Sequence, residues 1–359
     1  MGLLLYAYTA LLALIWLGLV GITLANAVYS RGARKVRTKK GYLPKVLVMV
    51  PCRGTDLTLR DNLLSLKGQR YENYEVVAIV DSESDPAMLT IQEVGLRHIV
   101  SAKRWPTASG KVRALSTAMT IFRGYEVYVV ADSDATFGED WLLRLVSPLS
   151  DDGVGVSTAF PYFKPMGGFW SKVKLVWGFV GNGMMESPAT RFAWGGSMAF
   201  RRDLLDTKSF SEFSSSVSDD IPITRIVKRK GLGIYYVADR VVTVNSDDDF
   251  VRFKEWSNRQ SALTVLGSRK NLQYGIVLYA ANILLLISAV ALAVFTSPFF
   301  AVLLVPFIVG AARTYLRAGQ ADPALIIAYL MVNFIYLANL LVASRMRSIE
   351  WRGNTYALR

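Results

Sequence analysis

The stretch YVVADSDATF, residues 128–137, begins as an apolar run rich in valine and ends at two carboxylates one residue apart, Asp132 and Asp134. Such a run is typical of a strand buried in a parallel sheet. Similar runs alternate with helical patterns before it, with strands predicted at 45–50, 76–80 and 98–101 and helices at 56–67, 86–96 and 111–122. Strands alternating with helices indicate a mostly parallel, doubly wound α/β sheet, in which ligands bind beyond the carboxyl ends of the strands.

Acidic side chains directly follow two of the predicted strands. Asp81 and Asp132 are therefore expected to line one crevice at the edge of the sheet. Mg²⁺ or Mn²⁺ is usually held by one or two carboxylates together with the oxygens of a substrate diphosphate. We expect a nucleotide sugar here, with the metal on Asp132 and Asp134 and with Lys111, at a predicted helix start, near the phosphates. The plainer alternative is that these acids only form turns and that the lysine is solvated.

Three stretches of the chain are mostly apolar and contain no charged side chain: 1–30, 271–312 and 323–344. Because about 20 such residues are enough to cross a bilayer core, we expect an N-terminal transmembrane helix and about three C-terminal ones within 271–344. Ser297-Pro298 is the expected turn within the second stretch. A cleaved signal peptide is the alternative for the first stretch, since Ala25-Asn26-Ala27 resembles a cleavage site.

The soluble domain is expected at 31–270, and a basic tail is expected at 345–359. A strongly positive net charge, here +13, is common in nucleic-acid-binding proteins. Much of this charge, however, flanks the apolar stretches, where cations set the topology and contact anionic headgroups. We therefore expect a membrane and no nucleic acid as partner. Six cations between residues 31 and 40 predict that the domain faces the cytoplasm.

The charges near the C-terminus do not fit a simple alternation of crossings. Arg313 and Arg317 suit a cytoplasmic turn, but the basic residues of 345–359 would then lie outside. One of the three C-terminal stretches is therefore a candidate for a re-entrant or interfacial helix, and the sequence does not say which. The single cysteine and single histidine, Cys52 and His98, exclude an intramolecular disulfide framework, a cysteine-rich zinc site and a multi-histidine metal centre.

Two segments, 168–180 and 250–270, mix aromatic with cationic side chains. This composition predicts helices that lie at the headgroup boundary, with Trp170 and Trp177 near a lipid acceptor. The alternative is a core-facing aromatic stripe with a solvated back. A crevice held at the membrane favours an acceptor hydroxyl on a sphingolipid, a glycerolipid or a polyprenyl-linked molecule.

Seven motifs occur in a characteristic order: PCRGTDLTLRDNL (51–63), VDSESDPA (80–87), SGKVRAL (109–115), ADSDA (131–135), GGSMAFRRDLLD (195–206), SDDIPI (218–223) and RFKEW (252–256). In these motifs the chain resembles the inverting nucleotide-sugar glycosyltransferases with a GT-A fold, the family that contains cellulose and hyaluronan synthases, and especially their ceramide glucosyltransferase branch. IEWRGNTY (349–356) resembles the C-terminal end of that branch.

The resemblance implies a role for each matching residue. Asp81 is implied to contact the base or ribose, Asp132 and Asp134 to hold the diphosphate and metal, Asp220 to be the general base, and Asp219 to shape its loop. Gly195 and Gly196 are implied to let the backbone pass close to the donor sugar. Arg252 and Trp256 match the ends of an acceptor-side motif whose second arginine is replaced here by Glu255, so that Lys254 or Arg259 is left to supply the cation.

These observations predict a metal-dependent inverting hexosyltransferase that uses UDP-glucose or GDP-mannose and acts on a hydroxyl of a lipid or polyprenyl-linked acceptor. A proton-accepting carboxylate can perform this displacement without a covalent intermediate. A processive polysaccharide synthase is the nearest alternative, and a non-catalytic nucleotide-sugar-binding scaffold is the alternative from another class. The sequence leaves a homo-oligomer open.

Overall fold

The computed structural model describes residues 2–31, 39 and 41–358. Twelve helices and twelve strands are numbered in chain order within these residues. The strands are β1 Val46–Pro51, β2 Tyr74–Val80, β3 Arg97–Val100, β4 Val127–Ala131, β5 Ala135–Phe137, β6 Val154–Ala159, β7 Tyr162–Pro165, β8 Ser197–Arg201, β9 Gly233–Val237, β10 Val242–Ser246, β11 Ser348–Trp351 and β12 Asn354–Ala357. The helices are α1 Gly2–Arg31, α2 Leu59–Lys67, α3 Ala87–Val94, α4 Gly110–Ile121, α5 Trp141–Val146, α6 Phe169–Glu186, α7 Thr207–Ser214, α8 Asp220–Arg229, α9 Phe250–Gly267, α10 Arg269–Phe295, α11 Val305–Ala318 and α12 Ala324–Ala343.

A seven-stranded sheet forms the centre of the soluble domain, in the order β3-β2-β1-β4-β8-β6-β9. The strands predicted from the sequence, β1 to β4, run parallel to one another, and β4 pairs with β1 in the register Val129↔Val48. β8 runs antiparallel to both β4 and β6. The predicted α/β class with a mixed, mainly parallel sheet is confirmed. The valine-rich strands are buried because helices cover both faces of such a sheet.

A smaller sheet, β5-β10-β7, adjoins the carboxyl end of β4. Asp132 and Asp134 lie in the short connection between β4 and β5, so the chain changes sheets at the two carboxylates. Trp141, fully buried at the start of α5, donates its indole N–H to the hydroxyl of Ser197 over 2.8 Å. This bond ties α5 to the start of β8, beside Asp132.

Four helical segments are long and apolar enough to cross a membrane: Tyr6–Ala25, Leu272–Phe295, Pro298–Ala318 and Ala324–Ala343. One is N-terminal and three are C-terminal, as the sequence predicts. The first three pack together through Leu12, Leu285 and Phe307. Four of the cations expected to orient the domain, Arg34, Lys35, Arg37 and Lys40, lie outside the described residues.

α12 packs differently from the other apolar helices, because it lies against the soluble domain. Just before its first turn, Asp322 pairs with Lys172 of α6 over 2.6 Å. Near its other end, the Asn339 side chain donates to the hydroxyl of Ser257 of α9 over 3.2 Å. Its buried residues recur at helical spacing: Leu325, Ala328, Val332, Tyr336, Asn339, Leu340 and Ala343. Both ends of this helix are therefore held by the same domain.

The two segments predicted to lie at the headgroup boundary form α6 and α9. Trp177 on α6 is only 8% exposed, because Tyr336 of α12 stacks on it at a centroid distance of 4.7 Å. Trp177 is therefore packed between α6 and α12, and its position near a lipid acceptor stays a prediction. Trp170 is half-buried and stacks on Phe253 of α9 at 5.6 Å.

Candidate active site

A cavity of about 890 Å³ opens at the carboxyl ends of β1, β2 and β4. Most of the residues predicted to form the site line it: Asp81, Lys111, Asp132, Asp134, Asp220, Trp177 and Trp256. The order of the parallel strands produces this arrangement, since each strand ends at the same edge of the sheet.

Lys111 is the centre of a buried ion cluster. Its ammonium lies 2.6 Å from Oδ1 of Asp132 and 3.1 Å from Oδ2 of Asp219, and it donates to the carbonyl of Gly195 over 3.1 Å. The lysine side chain is only 9% exposed. Burial acts to lower the pKa of Lys111, but the two carboxylates outweigh it and raise the pKa above its ordinary value. The alternative of a solvated lysine is therefore wrong.

The two glycines directly before β8 make room for these carboxylates. A Cβ atom on Gly195 would lie 2.6 Å from Oδ1 of Asp219, and one on Gly196 would lie 2.7 Å from Oδ2 of Asp132. Real Cβ atoms do not approach oxygen this closely, so neither position accommodates a side chain without movement. The close approach that requires glycine is therefore to Asp219 at Gly195, and to the indole of Trp194 and the carboxylate of Asp132 at Gly196.

Asp134 is suited to bind a cation. It lines the cavity and has no hydrogen-bond or ion-pair partner among the residues described. Burial, followed by the neighbouring Asp132 and Asp56, raises the pKa of Asp134 to about 6, because each disfavours its negative charge. No group of three or more His, Cys, Asp or Glu side chains in the described chain has the arrangement of a metal site. A divalent ion here would accordingly take part of its coordination from a substrate, which is usual for Mg²⁺.

Asp220 begins α8 and faces the same cavity. The Ser218 hydroxyl donates to its Oδ1. Burial, and next the charge of Asp219, raise the pKa of Asp220 to about 6. A carboxyl group with this pKa is mostly ionised at neutral pH and is a better proton acceptor than an ordinary aspartate. Asp219 itself is the N-cap residue of α8 and points to Lys111.

Asp81 lies at the other side of the cavity, directly after β2. Its carboxylate is 3.3 Å from the guanidinium of Arg53 and is about one-third exposed at 34%. The N-terminus of α4 is next to it, where the N–H of Gly110 donates to the hydroxyl of Tyr356 over 3.1 Å. Backbone N–H groups near Lys111 were expected to bind the phosphates. The N–H of Gly110 instead donates to Tyr356 of the C-terminal segment.

The expected basic tail is a β-hairpin over the cavity. β11 and β12 are joined by Arg352 and Gly353, with φ of 48° and 74°, and positive φ at both positions is what a type I′ turn requires. A non-glycine residue held in this region costs roughly 1–3 kcal/mol. Arg352 is held there by Asp56, 2.6 Å away, and by the carbonyl of Arg53. Trp351, Arg352 and Tyr356 all line the cavity.

Of the cations on helix α9 that the sequence offered, Arg259 lines the cavity, and Arg252 and Lys254 do not. Arg252 is 70% exposed beside Asp249 and is not among the residues that line the cavity, so the structure does not bring it to the other site residues. Arg259, two helical turns later, lines the cavity and lies over the ring of Trp351 at 5.7 Å. Trp256 lies between Phe163 and Trp177, with the ammonium of Lys174 4.7 Å from its ring centre.

Mostly apolar side chains of α10 and α12 complete the wall of the cavity. Tyr274, Leu278 and Tyr279 come from α10, and Tyr336 and Leu340 come from α12. Tyr274 and Leu278 are 72% and 36% exposed, so the cavity reaches the outer surface of α10. One continuous cavity thus joins a charged cluster at the strand ends to an apolar helix surface.

Comparison with known proteins identifies the fold and the family. A family model described as glycosyl transferase family 21 matches residues 11–359. A mannosyltransferase from Pyrobaculum calidifontis, solved with GDP-mannose and Mn²⁺, is 18% identical; the match covers 93% of this chain and 97% of that one, with a TM-score of 0.53. The glucosyl-3-phosphoglycerate synthase of Mycobacterium tuberculosis, solved with Mn²⁺, UDP and phosphoglyceric acid, is 16% identical over 62% of this chain and 78% of that one, with a TM-score of 0.42.

No curated protein sequence matches the chain. The similarity to the Pyrobaculum structure shows a shared fold and confirms the predicted GT-A architecture.

Proposed function

The chain belongs to glycosyl transferase family 21, and from this premise we propose that it is a membrane-bound inverting enzyme. In this proposal it moves a hexose from UDP-glucose or GDP-mannose to a hydroxyl group of a membrane lipid or a polyprenyl-linked acceptor. The observation that carries the proposal is a continuous cavity that joins the carboxylates at the strand ends to the apolar side chains of α10 and α12.

The charged part of the cavity suits the donor. In this proposal Asp81 would accept hydrogen bonds from the base or ribose, and Asp132 and Asp134 would hold Mg²⁺ or Mn²⁺; all three line the cavity. Such an ion, when bound, supplies positive charge that neutralises a leaving diphosphate. The raised pKa of Asp134 supports this assignment, because a nearby cation would favour the ionised form that burial disfavours.

Asp220 is the proposed base. In a direct displacement the acceptor oxygen forms a bond to the anomeric carbon while the bond from that carbon to the diphosphate oxygen breaks. The diphosphate keeps the bonding electron pair, and the hydroxyl proton moves to the carboxylate of Asp220. Attack on the opposite face from the leaving group inverts the anomeric configuration, in the manner of inverting glycosidases.

The apolar part of the cavity suits a lipid acceptor. Tyr274 and Leu278 lie at the start of a helix that is apolar enough to span a membrane, and both are exposed on its outer surface. A hydrocarbon chain lying along α10 would bring its polar end into the cavity without leaving the bilayer. The cations between residues 31 and 40 support a cytoplasmic position for the domain.

The test uses the purified full-length protein in detergent with Mn²⁺, a total membrane lipid extract and either labelled UDP-glucose or labelled GDP-mannose. We expect one of the donors to yield an organic-extractable product that carries one hexose, with the anomeric configuration opposite to that of the donor by NMR. A long water-soluble polymer would indicate a processive synthase. Donor binding without transfer to any lipid in the extract would favour a scaffold, and retained configuration would refute inversion.

A further inference from the structure

The charge balance of the cavity raises the question of what binds the donor diphosphate besides a metal. Lys111 is already paired with Asp132 and Asp219. The other acids that line the cavity, Asp81, Asp134 and Asp220, add negative charge to its wall. A diphosphate is itself strongly anionic, so its binding requires further cations close to Asp132 and Asp134.

We propose that Arg259 and Arg352 bind the diphosphate of the donor, which makes the C-terminal hairpin part of the donor site. This inference rests on the proposed function. The two side chains come from α9 and from the β11–β12 turn, yet both line the cavity. Guanidinium groups suit this role because their planar fork can donate two parallel hydrogen bonds to phosphate oxygens.

Arg259 is available for such a ligand. It has no hydrogen bond or ion pair with any residue that the structure describes, and its guanidinium lies over the ring of Trp351. Burial lowers the pKa of Arg259, the charge of Arg352 lowers it further, and Asp134 and Asp132 act in the opposite direction. Arg259 and Arg352 line the same cavity as the proposed metal ligands Asp132 and Asp134, and an anion between the two guanidinium groups would stabilise this arrangement.

Arg352 is held in place more firmly. Its ion pair with Asp56 and its bond to the carbonyl of Arg53 fix a guanidinium on a backbone turn of positive φ. Strained positions of this kind persist where the surrounding structure requires them. The Gly110 N–H bond to Tyr356 fastens the other strand of the hairpin next to Asp81. The hairpin thus spans the donor side of the cavity.

The test measures binding of UDP, GDP and the corresponding monophosphates by calorimetry in Mn²⁺, using the full-length protein. Arg259→Gln and Arg352→Gln should each weaken binding of the preferred diphosphate by about tenfold or more, since hydrogen bonds to charged groups contribute this much. Binding of the monophosphate should weaken less. Arg347→Gln, which removes an exposed cation next to the hairpin, is the matched control and should bind like the parent.

Two results would overturn the inference while leaving the proposed function intact: unchanged diphosphate binding in both variants, or equal loss of diphosphate and monophosphate. If the variants raise the KM for the lipid and bind the diphosphate normally, the two arginines bind a lipid phosphate instead. Arg259→Gln does not alter the strained turn, so it remains informative if Arg352→Gln fails to fold. A parent protein that binds neither diphosphate would refute the proposed function and this inference together.

A second inference concerns α12. A helix of 20 residues is about 30 Å long, which is the thickness of a bilayer core. If α12 crossed the membrane, one end would lie about that distance from the soluble domain. Its two ends instead contact Lys172 and Ser257 of that domain.

We infer that α12 lies along the membrane surface beneath α6 and α9, and that the chain crosses the bilayer three times, through α1, α10 and Pro298–Ala318. The segments on both sides of α12 support this topology. Arg317, before it, pairs with Glu186 at the end of α6, and the hairpin after it covers the cavity. All the basic residues near the C-terminus then lie on one side, which removes the conflict in the sequence.

Cysteine labelling with a membrane-impermeant maleimide on sealed vesicles tests this inference. Cys52 is the only cysteine and is buried, so a Cys52→Ala parent gives a low background. Gln320→Cys and Ser344→Cys, on either side of α12, should be labelled from the same side as the catalytic domain. Thr296→Cys, between α10 and α11, should be labelled from the opposite side. Labelling of positions 320 and 344 from opposite sides would show that α12 crosses.

Discussion

The ammonium of Lys111 lies 2.6 Å from the carboxylate of Asp132, and both belong to a buried cluster that includes Asp219. The cluster packs against backbone that has no room for a side chain. The cluster therefore orients Asp132 in the wall of the cavity, and its geometry depends on the two glycines that directly precede β8.

Gly195→Ala should disturb this cluster. The added methyl group would lie 2.6 Å from Oδ1 of Asp219, so the carboxylate or the strand must move. Overpacking of this kind typically costs about 1–3 kcal/mol in free energy of unfolding, and we expect transfer to fall as well. Gly183→Ala on α6, where nothing lies within 4 Å of the new Cβ, is the control for chemical denaturation. A Gly195→Ala protein as stable and active as the control would contradict the described packing.

Asp134→Asn should uncouple donor binding from the metal. The parent is expected to bind its nucleoside diphosphate more tightly in Mn²⁺ than in chelator, because ion and phosphates share coordination. Loss of one carboxylate ligand should lower the affinity for the diphosphate in Mn²⁺ by about tenfold or more, since even changes beyond the direct ligands lower metal affinity by about 10–100-fold. Binding in chelator should change little. Equal losses with and without Mn²⁺, measured by calorimetry, would make Asp134 a structural residue.

Activity and stability should respond to pH in opposite directions. Asp220 must be ionised to accept a proton, and its pKa is raised to about 6, so kcat/KM should fall about tenfold per pH unit below that value. Asp134 and Asp220 both have pKa values above the ordinary 3.9 or so of aspartate, so the folded protein binds their protons more tightly than the unfolded chain. In chelator, the free energy of unfolding should therefore fall as pH rises from about 4 to about 6.

The pH profile of transfer at saturating Mn²⁺ checks the first expectation, and denaturant titrations in chelator check the second. A rate of transfer that does not change between about pH 5 and about pH 7 would argue against a base with this pKa. A free energy of unfolding that rises between about pH 4 and about pH 6 would show that folding does not raise the pKa values of Asp134 and Asp220.

The parallel strands and the acids that follow them were predictable, because valine-rich runs and strand-end positions are local features of the sequence. Asp81, Lys111, Asp132, Asp134 and Asp220 meet in one cavity for this reason. The burial of Trp177 under α12 was not predictable, since helical periodicity shows an apolar face but not which helix covers it. The antiparallel strand β8 was also missed, and Gly195 and Gly196 directly precede it.

The hairpin is the largest feature that the sequence analysis missed. Arg352 is 296 residues from its partner Asp56, and no local pattern reports such a contact. Alternation in IEW and NTY around Arg352-Gly353 was the available signal for a two-residue turn. The cationic character of the segment hid it, because an isolated basic end is usually a solvated tail.

The central claim is that Asp220 takes the proton of an acceptor hydroxyl bound in the same cavity as the donor. Asparagine has nearly the shape of aspartate but cannot accept this proton. Asp220→Asn should therefore bind the nucleoside diphosphate within about threefold of the parent while transfer falls by roughly 10²–10⁴. Asp203→Asn, which alters an aspartate that is 83% exposed, is the matched control.

The deciding measurement is donor binding by calorimetry and transfer to lipid on one preparation of Asp220→Asn. Normal binding with transfer reduced at least about a hundredfold is the result we predict, together with loss of the acid limb of the pH profile. An Asp220→Asn enzyme that transfers hexose to lipid at the parental rate would contradict the assignment of Asp220 as the base.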